Sequence, residues 1–538
     1  MSLARIGRTF LAVLFVTACG TDSSNDTPAP PTSFKIGGTA SGVQNSGLVL
    51  RLNDKEDLAI SSNGAFSFTG ELSDTAPYAI KVKSRPAYPN NTCELENGSG
   101  TVNAADVSDV EIKCRTTFYL RRGDMNAAST KLYVSDGTAA GTVPIKDFVQ
   151  FDEPQGPIVT AGDVTFFRTR EGLWQTDGST AGTKLVKSVG VANPIGMGDK
   201  IYFFGQENFV HLLWASDGTE AGTAPVSSVG VYAGHLSQND LEAANHRLFF
   251  GGLTAGSDGF DLWSSDGTEA GTIRIKDLER KDGAPGFPLG PSLAVADRKI
   301  YFSVKDSSSG ADRFAIWKSD GDLTGTVPVK DLGDLDAEFL GVSGSKLFFR
   351  ADDGNNGLGL WVSDGTPAGT RLLKSDVSFG KGKAVGDRTF FFRSFFDGVK
   401  VVCELWVSDG TEMGTQLVKD CDSGRPTSIA GSCLPVAQTF FVQIETDTHG
   451  RELWKSDGTE LGTGMIKDIN PGPASSDPSF LMAVGNTLYF VANDGVHGRQ
   501  LWKSDGCDTG TVRVTDFAFS GNDGFAELLL GREISNVP

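Results

Sequence analysis

The sequence predicts an all-β protein in which a large closed β-propeller follows a small immunoglobulin-like β-sandwich. Glycine accounts for 67 of the 538 residues, about one in eight, and 35 phenylalanines accompany it. This composition is typical of short strands joined by tight turns. One turn motif occurs nine times along the chain, and a pair of adjacent aromatic residues precedes each copy. Together these observations favour nine repeated units of four strands each.

The chain is acidic, with a formal net charge of −19 and a pI of about 4.8. Nucleic acids and anionic lipid surfaces would repel such a surface, so we expect no nucleic-acid partner. The hydrophobic fraction of 39% indicates a globular protein rather than a disordered one. Its length is well above that of one domain of about 150 residues.

Residues 1–18 are predicted to be a lipoprotein signal peptide. Two arginines precede an apolar run over 10–16, which is too short to span a bilayer. The run leads into Val-Thr-Ala-Cys at 16–19, which resembles the bacterial lipobox. That resemblance implies that the Cys19 thiol receives a lipid and that Cys19 becomes the first residue after cleavage. An ordinary secretory signal with an incidental cysteine is the alternative.

The residue after the cysteine bears on the destination of the protein. Gly20 stands where an Asp commonly retains Gram-negative lipoproteins at the inner membrane. The resemblance therefore implies an outer-membrane lipoprotein, held by acyl chains that exceed the two signals a stable anchor needs. Whether it faces the periplasm or the cell surface is left open. Residues 19–33 are polar and end in a proline-rich stretch, which predicts a flexible tether.

Residues 34–114 are predicted to form the small β-sandwich. Short segments such as Leu48–Leu52 and Ala79–Val82 alternate in polarity over part of their length, as half-buried strands do. Asn63-Gly64 is a hairpin signal. About seven strands in eighty residues favour the immunoglobulin-like class. Cys93 and Cys114 are the cysteines of this region, and in an exported protein we expect them to pair.

Residues 116–538 contain the repeats. Each of the eight tryptophans is followed three residues later by Asp-Gly, and Tyr133 takes the place of Trp in a ninth copy. Every copy continues with Gly five residues and Thr six residues after the Asp. Spacings of 40 to 54 residues suit four-stranded propeller blades better than solenoid repeats. The nine aspartates are Asp136, Asp177, Asp217, Asp266, Asp320, Asp364, Asp409, Asp457 and Asp505.

These residues resemble the bacterial ELWxxDGT repeat family, and the clearest copy is Glu-Leu-Trp-Lys-Ser-Asp-Gly-Thr at 452–459. The pattern departs from the family at Asp322 and Cys507, where Thr or Ser is expected, and at Tyr133. The resemblance implies the propeller fold, and it does not indicate a particular activity.

The chemistry of the turn favours a structural role for its aspartate. Asp-Gly after a strand permits a positive φ at the glycine and lets the carboxylate accept backbone N–H bonds. The second glycine provides another unusual dihedral angle or a close backbone approach. Calcium binding is the alternative, but Ca²⁺ takes six to eight oxygens and each copy supplies one Asp. We therefore predict a structural turn with no metal and no cofactor.

The aromatic pairs distinguish a propeller from a sandwich. Neighbouring strand residues point to opposite faces, so a pair such as Phe203-Phe204 needs burial on both faces of its sheet. Radially stacked blades provide this. The chain enters the repeats at the second strand of a unit, and Phe525–Leu530 resembles an extra first strand that would close the ring. Because four to eight blades are usual, an eight-bladed ring with one displaced unit is the alternative to nine.

No catalytic motif stands out. The sequence lacks a Gly-x-Ser-x-Gly elbow, a P-loop, a His-Glu-x-x-His pair and paired-cysteine metal spacing. His449 and His497 occupy equivalent places in neighbouring repeats, while His235 and His246 lie in or beside an insertion. We interpret them as loop histidines.

Four further cysteines lie in the repeats. Folding the hairpin of the seventh unit about Glu412 places Cys403 opposite Cys421, which predicts a cross-strand bridge. Cys433 and Cys507 lie in turns that emerge on the same side of neighbouring units, which predicts a second bridge. The other pairings of these four cysteines, and partly free thiols, are alternatives.

Repeat symmetry without a unique catalytic cluster favours a non-enzymatic binding or scaffold protein of the cell envelope. Its ligand, a protein or a glycan, would lie on the propeller loops. The first alternative is a propeller enzyme acting on polysaccharide, either a glycoside hydrolase or a lyase. Two carboxylates roughly 5–9.5 Å apart in a central funnel would favour hydrolysis. The second alternative is a purely structural envelope protein.

Overall fold

The computed structural model describes residues 33–43, 48–84, 90–124, 129–149, 151–162, 164–207, 210–231, 241–253, 260–277, 293–306, 313–333, 337–352, 357–375, 379–380, 382–396, 401–421, 434–436, 439–517 and 524–531. Every regular element in this part of the chain is a β-strand. Four-stranded antiparallel sheets recur along it, so the fold is all-β and β-propeller-like.

Two four-stranded sheets precede the repeats. Their strands are β1 (Ser33–Ser41), β2 (Leu48–Leu52), β3 (Glu56–Ile60), β4 (Gly64–Ser73), β5 (Pro77–Ser84), β6 (Asn90–Glu96), β7 (Ser99–Thr101) and β8 (Val107–Asp124). One sheet has the order β4-β1-β8-β6 and the other β3-β2-β5-β7. β1 and β8 pair in parallel, and the remaining pairs are antiparallel. Ile36, Leu50, Phe68 and Val110 belong to the core between the sheets.

A disulfide bond joins Cys93 to Cys114 across the pair of strands β6 and β8. The hairpin predicted at Asn63-Gly64 is wrong, because β3 pairs with β2 whereas β4 pairs with β1. This connection passes between the two sheets, and the Asn63 side chain accepts the Val43 N–H there at 2.8 Å. The short polar pair marks a change of sheet and not a reversal within one.

Each of the nine units contains strands a, b, c and d in spatial order. The a strands are β11 (Gln155–Ala161), β15 (Val191–Met197), β19 (Leu241–Ala244), β23 (Ala294–Ala296), β27 (Ala337–Ser343), β31 (Lys383–Val385), β35 (Leu434–Val436), β39 (Ser479–Val484) and, for unit one, β43 (Gly524–Leu528). The b strands are the second part of β8 and β12 (Val164–Arg168), β16 (Lys200–Glu207), β20 (Arg247–Leu253), β24 (Lys299–Asp306), β28 (Lys346–Asp352), β32 (Arg388–Phe396), β36 (Thr439–Thr446) and β40 (Thr487–Asn493).

The outer half of each unit follows the same order. The c strands are β9 (Ser129–Ser135), β13 (Leu173–Thr176), β17 (Val210–Ser216), β21 (Phe260–Ser265), β25 (Arg313–Ser319), β29 (Leu358–Ser363), β33 (Val401–Ser408), β37 (Gly450–Ser456) and β41 (Arg499–Ser504). The d strands are β10 (Val143–Val149), β14 (Lys184–Lys187), β18 (Ala224–Val231), β22 (Ile273–Asp277), β26 (Val327–Gly333), β30 (Arg371–Lys374), β34 (Gln416–Cys421), β38 (Gly464–Lys467) and β42 (Val512–Arg513).

Unit one is assembled from both ends of the repeat region. β8 runs without a break from the sandwich into the unit, across the boundary predicted at 114–116, and pairs there with β9. On its other side it pairs with β43, and Leu528 lies opposite Leu120. The strand expected at the end of the chain is therefore present beside β8.

Apolar residues bury both faces of each repeat sheet. Phe166 packs with Phe203 of unit three, while its neighbour Phe167 packs with Tyr119 of unit one. Similar clusters join each unit to the next one along the chain. A further cluster joins unit nine to unit one, where Tyr489 contacts Phe118 at 4.8 Å between ring centroids. The aromatic pairs thus fill two different interfaces, as the sequence predicts.

The connections within the units fall into two sets, which emerge at opposite edges because the four strands are antiparallel. At the turn edge, a and b are separated by two residues in units two to nine, and c and d by seven residues in all nine. At the loop edge, two to six residues separate b from c, and three to sixteen separate d from the following a. Each kind of connection at the turn edge therefore has a constant length, whereas the connections at the loop edge vary in length.

Candidate functional site

The repeated turn between strands c and d is built around its aspartate. In unit eight, Asp457 Oδ1 accepts the Thr459 N–H at 2.8 Å and the Thr459 hydroxyl at 2.7 Å. The same hydroxyl oxygen accepts the Gly462 N–H at 3.0 Å. Three hydrogen bonds therefore link the carboxylate to the turn, and the backbone N–H groups of Thr459 and Gly462 both find an acceptor within it.

A pair of hydroxyls joins the two strands below this turn. Ser456 Oγ lies 2.6 Å from Thr463 Oγ1 and accepts the Gly458 N–H at 3.1 Å. The Thr463 hydroxyl also reaches the Thr459 carbonyl at 2.6 Å. Sequence reasoning missed the pair, although a Ser or Thr precedes all nine aspartates and would have indicated it.

The two glycines of the turn serve different needs. Gly458 has a φ of +88°, a left-handed conformation that side chains disfavour. Gly462 is required by space, because a Cβ there would lie 2.1 Å from the Asp457 carboxyl carbon. The close approach, and not an unusual dihedral angle, explains the second glycine.

Nine turns share this design, and two of them lack one part of it. The hydroxyl pair is present in every copy. Asp322 and Cys507, which replace the usual Thr or Ser, still donate their N–H to the turn aspartate, at 3.2 and 2.8 Å. They provide no hydroxyl for it. The structure places these turns at Asp136, Asp177, Asp217, Asp266, Asp320, Asp364, Asp409, Asp457 and Asp505.

Hydrogen bonds within the turn lower the pKa of several turn carboxylates. Hydrogen bonds from the threonine two positions on hold the pKa of Asp266, Asp364 and Asp457 below that of a free Asp. The charged form is favoured because it accepts both bonds. In the part of the chain that the structure describes, no group of three or more His, Cys, Asp or Glu side chains is arranged to hold a metal ion.

The turns also contact the preceding unit. A Cβ added to Gly267 would lie 2.2 Å from the Tyr202 hydroxyl, so the tyrosine of strand b rests directly on the turn of the next unit. Tyr489 of unit nine makes the same contact with Gly137 of unit one. Lys455 Nζ donates to the Gly506 carbonyl at 2.8 Å, which adds a polar link between units eight and nine.

At the loop edge, the glutamate of the repeat motif holds a connection in place. Glu452 is fully buried on strand c of unit eight. Its carboxylate accepts the Ser476 hydroxyl at 2.6 Å and the N–H groups of Ile469, Asn470 and Ser476 at 3.1–3.3 Å. These donors lie in the connection from strand d to unit nine. Burial raises the pKa of Glu452 to about 7.

Unit nine carries an amide at the equivalent position. Gln500 Oε1 accepts the Thr515 hydroxyl and the Phe517 N–H, both at 2.9 Å, and its Nε2 donates to the His497 carbonyl at 2.7 Å. In unit seven, Glu404 accepts the Trp406 indole N–H at 2.7 Å. Sequence analysis assigned no role to this position. The sequence feature that could have indicated a role is a polar residue directly before Leu-Trp, on a strand whose two faces are both buried.

The two equivalent histidines lie at the loop edge, between strands b and c. His497 Nδ1 is 2.7 Å from Asp494 Oδ2, and His449 Nδ1 is 2.7 Å from the Thr448 hydroxyl. His246 lies at the turn edge with a φ of +58°. His211 belongs to strand c of unit three, where burial lowers its pKa. The structure therefore disperses these histidines over separate units.

The remaining predicted residues have different outcomes. Cys403 is buried and lies directly opposite Cys421 in the register of β33 and β34, as the symmetric fold about Glu412 predicts, and the bridge between them stays a prediction. Cys507 is exposed in its turn. Cys19, Cys433 and His235 lie outside the described residues.

Within the described ranges, no helix is long and apolar enough to cross a membrane. No protein-family model and no curated protein matches the chain. Among solved structures, the computationally designed Ika8 protein is similar, with 12% identity over 63% of this chain and 92% of that one and a TM-score of 0.33.

Two enzymes are similar to the same degree. Puromycin hydrolase has 14% identity over 64% of this chain and a TM-score of 0.35, and a prolyl endopeptidase has 14% identity over 62% and a TM-score of 0.33. This chain covers 58% and 50% of their lengths. At these TM-scores the likeness carries no argument, and the β-propeller-like fold rests on the sheets themselves.

Proposed function

We propose that this protein is a lipid-anchored, non-enzymatic binding protein of the outer membrane, whose nine units form a closed propeller with its ligand surface at the loop edge. The observation that carries the proposal is the contrast between the two edges. At the turn edge each kind of turn keeps one length, and the c–d turns share one hydrogen-bonding scheme apart from the missing hydroxyl at Asp322 and Cys507, whereas the loop edge differs from unit to unit. Binding surfaces are commonly built on variable loops that a rigid scaffold positions.

Closure is supported by contacts at the junction of the first and last units. β43 pairs with β8, and the cluster between units nine and one consists of apolar and aromatic side chains, as at the other interfaces. Tyr489 rests on Gly137 as Tyr202 rests on Gly267. Ile158 of unit two forms a bridge with Gly531, three residues after the end of β43. These contacts favour nine blades over eight with a displaced unit.

The loop edge offers apolar side chains to a partner. Phe151, Phe396 and Val496 are 60%, 67% and 80% exposed there. Exposed aromatic residues are the usual anchors of protein and glycan recognition. The turn edge carries exposed apolar residues of its own, Met413 and Leu461, which provide a matched control.

Repetition supports a binding role over catalysis. The structure disperses the histidines, and the turn aspartates form bonds within their own turns, at separate places around the repeats. A catalytic site instead brings different groups to one reacting atom.

The proposed function is tested with envelope extract and a glycan array. We expect Phe151→Ser combined with Phe396→Ser to abolish capture of the partner, while Met413→Ser combined with Leu461→Ser leaves it unchanged. Equal loss in both double variants would contradict a loop-edge surface. Release of reducing sugar ends from an array glycan would contradict the non-enzymatic role and support the glycoside hydrolase alternative.

The anchor has its own test. Cys19→Ala should abolish incorporation of a fatty-acid probe and leave the protein either soluble or with its signal peptide unprocessed, because the acyl chains supply the affinity of the mature protein for the membrane. Labelling that persists in Cys19→Ala would contradict lipidation at Cys19.

A further inference from the structure

A cleft of about 240 Å³ lies where the sandwich meets units one and nine. Arg115 lines it from β8, Asp136 from the turn of unit one, and Thr487 and Tyr489 from strand b of unit nine. The cleft lies at the turn edge, so it is separate from the proposed ligand surface and goes beyond the proposed function. Its volume suits a molecule smaller than a drug-sized ligand.

Two opposite charges line this cleft, one on Arg115 and one on Asp136. Asp136 uses Oδ1 for the Thr138 N–H at 2.9 Å and the Thr138 hydroxyl at 2.7 Å. Among the described residues, none forms a hydrogen bond or an ion pair with Asp136 Oδ2 or with the Arg115 guanidinium. A guanidinium and a carboxylate oxygen are therefore both available to a bound molecule.

The other walls fit the same small ligand. Val484 contributes an apolar side chain, Gly42 also lines the cleft, and the Thr487 and Tyr489 side chains add hydroxyls. Contacts like that of Tyr489 with the next turn also occur at Tyr202 and Tyr301. Other turn carboxylates have a cation nearby from within the repeats, such as Arg388 near Asp457, whereas in unit one the adjoining sandwich contributes Arg115.

We propose that the cleft binds a small zwitterion of amino-acid size, with its carboxylate on Arg115 and its ammonium group on Asp136. A purely anionic ligand would leave Asp136 uncompensated and would approach a chain of net charge −19. A zwitterion satisfies both charges at once. The apolar wall at Val484 favours an uncharged aliphatic side chain, so L-valine is the probe of choice.

The test is titration calorimetry on the full chain with L-valine and two relatives that each lack one charge. Isovalerate lacks the ammonium group and valinol lacks the carboxylate. Both should bind at least tenfold more weakly than L-valine, since each lacks one of the two charge-assisted hydrogen bonds. Equal binding of all three, or no binding of L-valine at 10 mM, would overturn the proposal.

Variants locate the site and have matched controls. Arg115→Gln should abolish the preference for L-valine over valinol, while Arg298→Gln, at a turn of unit five, should not. Asp136→Asn should weaken L-valine binding at least tenfold, whereas Asp457→Asn makes the same change in the turn of unit eight and should leave binding unchanged. If L-valine binding falls equally in Asp136→Asn and Asp457→Asn, the loss reflects turn stability and the proposed binding site is wrong. Binding of glucose that depends on Arg115 would make the cleft a sugar site instead.

Discussion

At both edges of the repeat region a carboxylate fixes a connection between strands, but the two edges do so differently. At the turn edge, a partly exposed aspartate such as Asp457 accepts two bonds from a turn of fixed length. At the loop edge, the buried carboxylate of Glu452 accepts four bonds from a long connection. The first scheme is local and is repeated nine times, while the second reaches 17–24 residues along the chain and differs between units. The turn edge therefore holds the fold in register, and the loop edge is where the units can differ.

The largest expected difference between the edges concerns glycine. Gly462→Ala would place a Cβ 2.1 Å from the Asp457 carboxyl carbon, which forces that carboxylate out of the turn and shifts the turn backbone, so we expect a loss of about 2–3 kcal/mol in unfolding free energy. Gly472, in a loop-edge connection, has a φ of +92° and open space around its Cβ position. Gly472→Ala should therefore cost about 1 kcal/mol, from backbone strain alone. Urea denaturation of both variants measures the difference, and equal losses would contradict the role of the close approach.

Removing the carboxylate of Glu452 should cost more unfolding free energy than removing that of Asp457. Glu452→Ala leaves four donors buried without an acceptor, and we expect a loss of about 2–4 kcal/mol. Asp457→Ala exposes its donors to water more readily, so a loss of about 1 kcal/mol is expected. Thermal unfolding in a calorimeter compares them. A larger loss for Asp457→Ala would reverse our ranking of the edges.

Acid and base should also act differently on the two edges. The pKa of Glu452 is raised by burial to about 7, above the ordinary Glu value of about 4.3, so its contribution is present in acid and is lost as the pH rises through 7. The loss should amount to roughly 1–3 kcal/mol. The lowered pKa of Asp457 acts oppositely, and its contribution is lost as the pH falls below about 4.

Glu452→Gln isolates the first effect, because unit nine carries glutamine at this position naturally. Between pH 5 and 8 the variant should show a flatter dependence of unfolding free energy on pH than the unaltered protein. Parallel curves for the two proteins would show that Glu452 does not titrate in this range.

The smallest expected effect is a gain. Asp322 interrupts the hydroxyl relay in unit five, where its N–H is 3.2 Å from Asp320 Oδ1. Asp322→Thr should restore a hydroxyl that donates to Asp320 and accepts the Gly325 N–H, which stabilises the unit by about 0.5–1 kcal/mol. Thr459→Asp in unit eight is the reciprocal control and should destabilise. An unchanged midpoint in both variants would show that the relay contributes nothing measurable.

The sequence was most informative where the structure is local. The fixed spacing from Trp to Asp-Gly and on to Gly-Thr placed every turn correctly, because each turn closes on itself within seven residues. The aromatic pairs predicted burial on both faces for a similar reason, since alternation in a strand is a local property. The Cys403–Cys421 register followed from symmetry about a single turn.

The sequence was least informative where distant segments meet. No spacing rule connects Glu452 with Ser476, because the intervening connection has no fixed length or pattern. Asn63-Gly64 has the composition of a hairpin, but the sheet that each flanking strand joins is decided by packing. The cleft at Arg115 and Asp136 depends on how the sandwich meets the repeats, which composition does not encode.

An insertion scan tests the contrast between the edges most directly. Three glycine or serine residues are inserted in turn into each c–d turn and each d–a connection, and the melting temperature of every variant is measured. Lengthening a flexible connection costs little, about 0.6 kcal/mol for each doubling, so d–a insertions placed outside the segments bound by Glu452 and Gln500 should leave the melting temperature nearly unchanged. Insertions into the c–d turns separate the aspartate from its donors and should lower it in all nine units. Equal tolerance at the two edges would contradict the account.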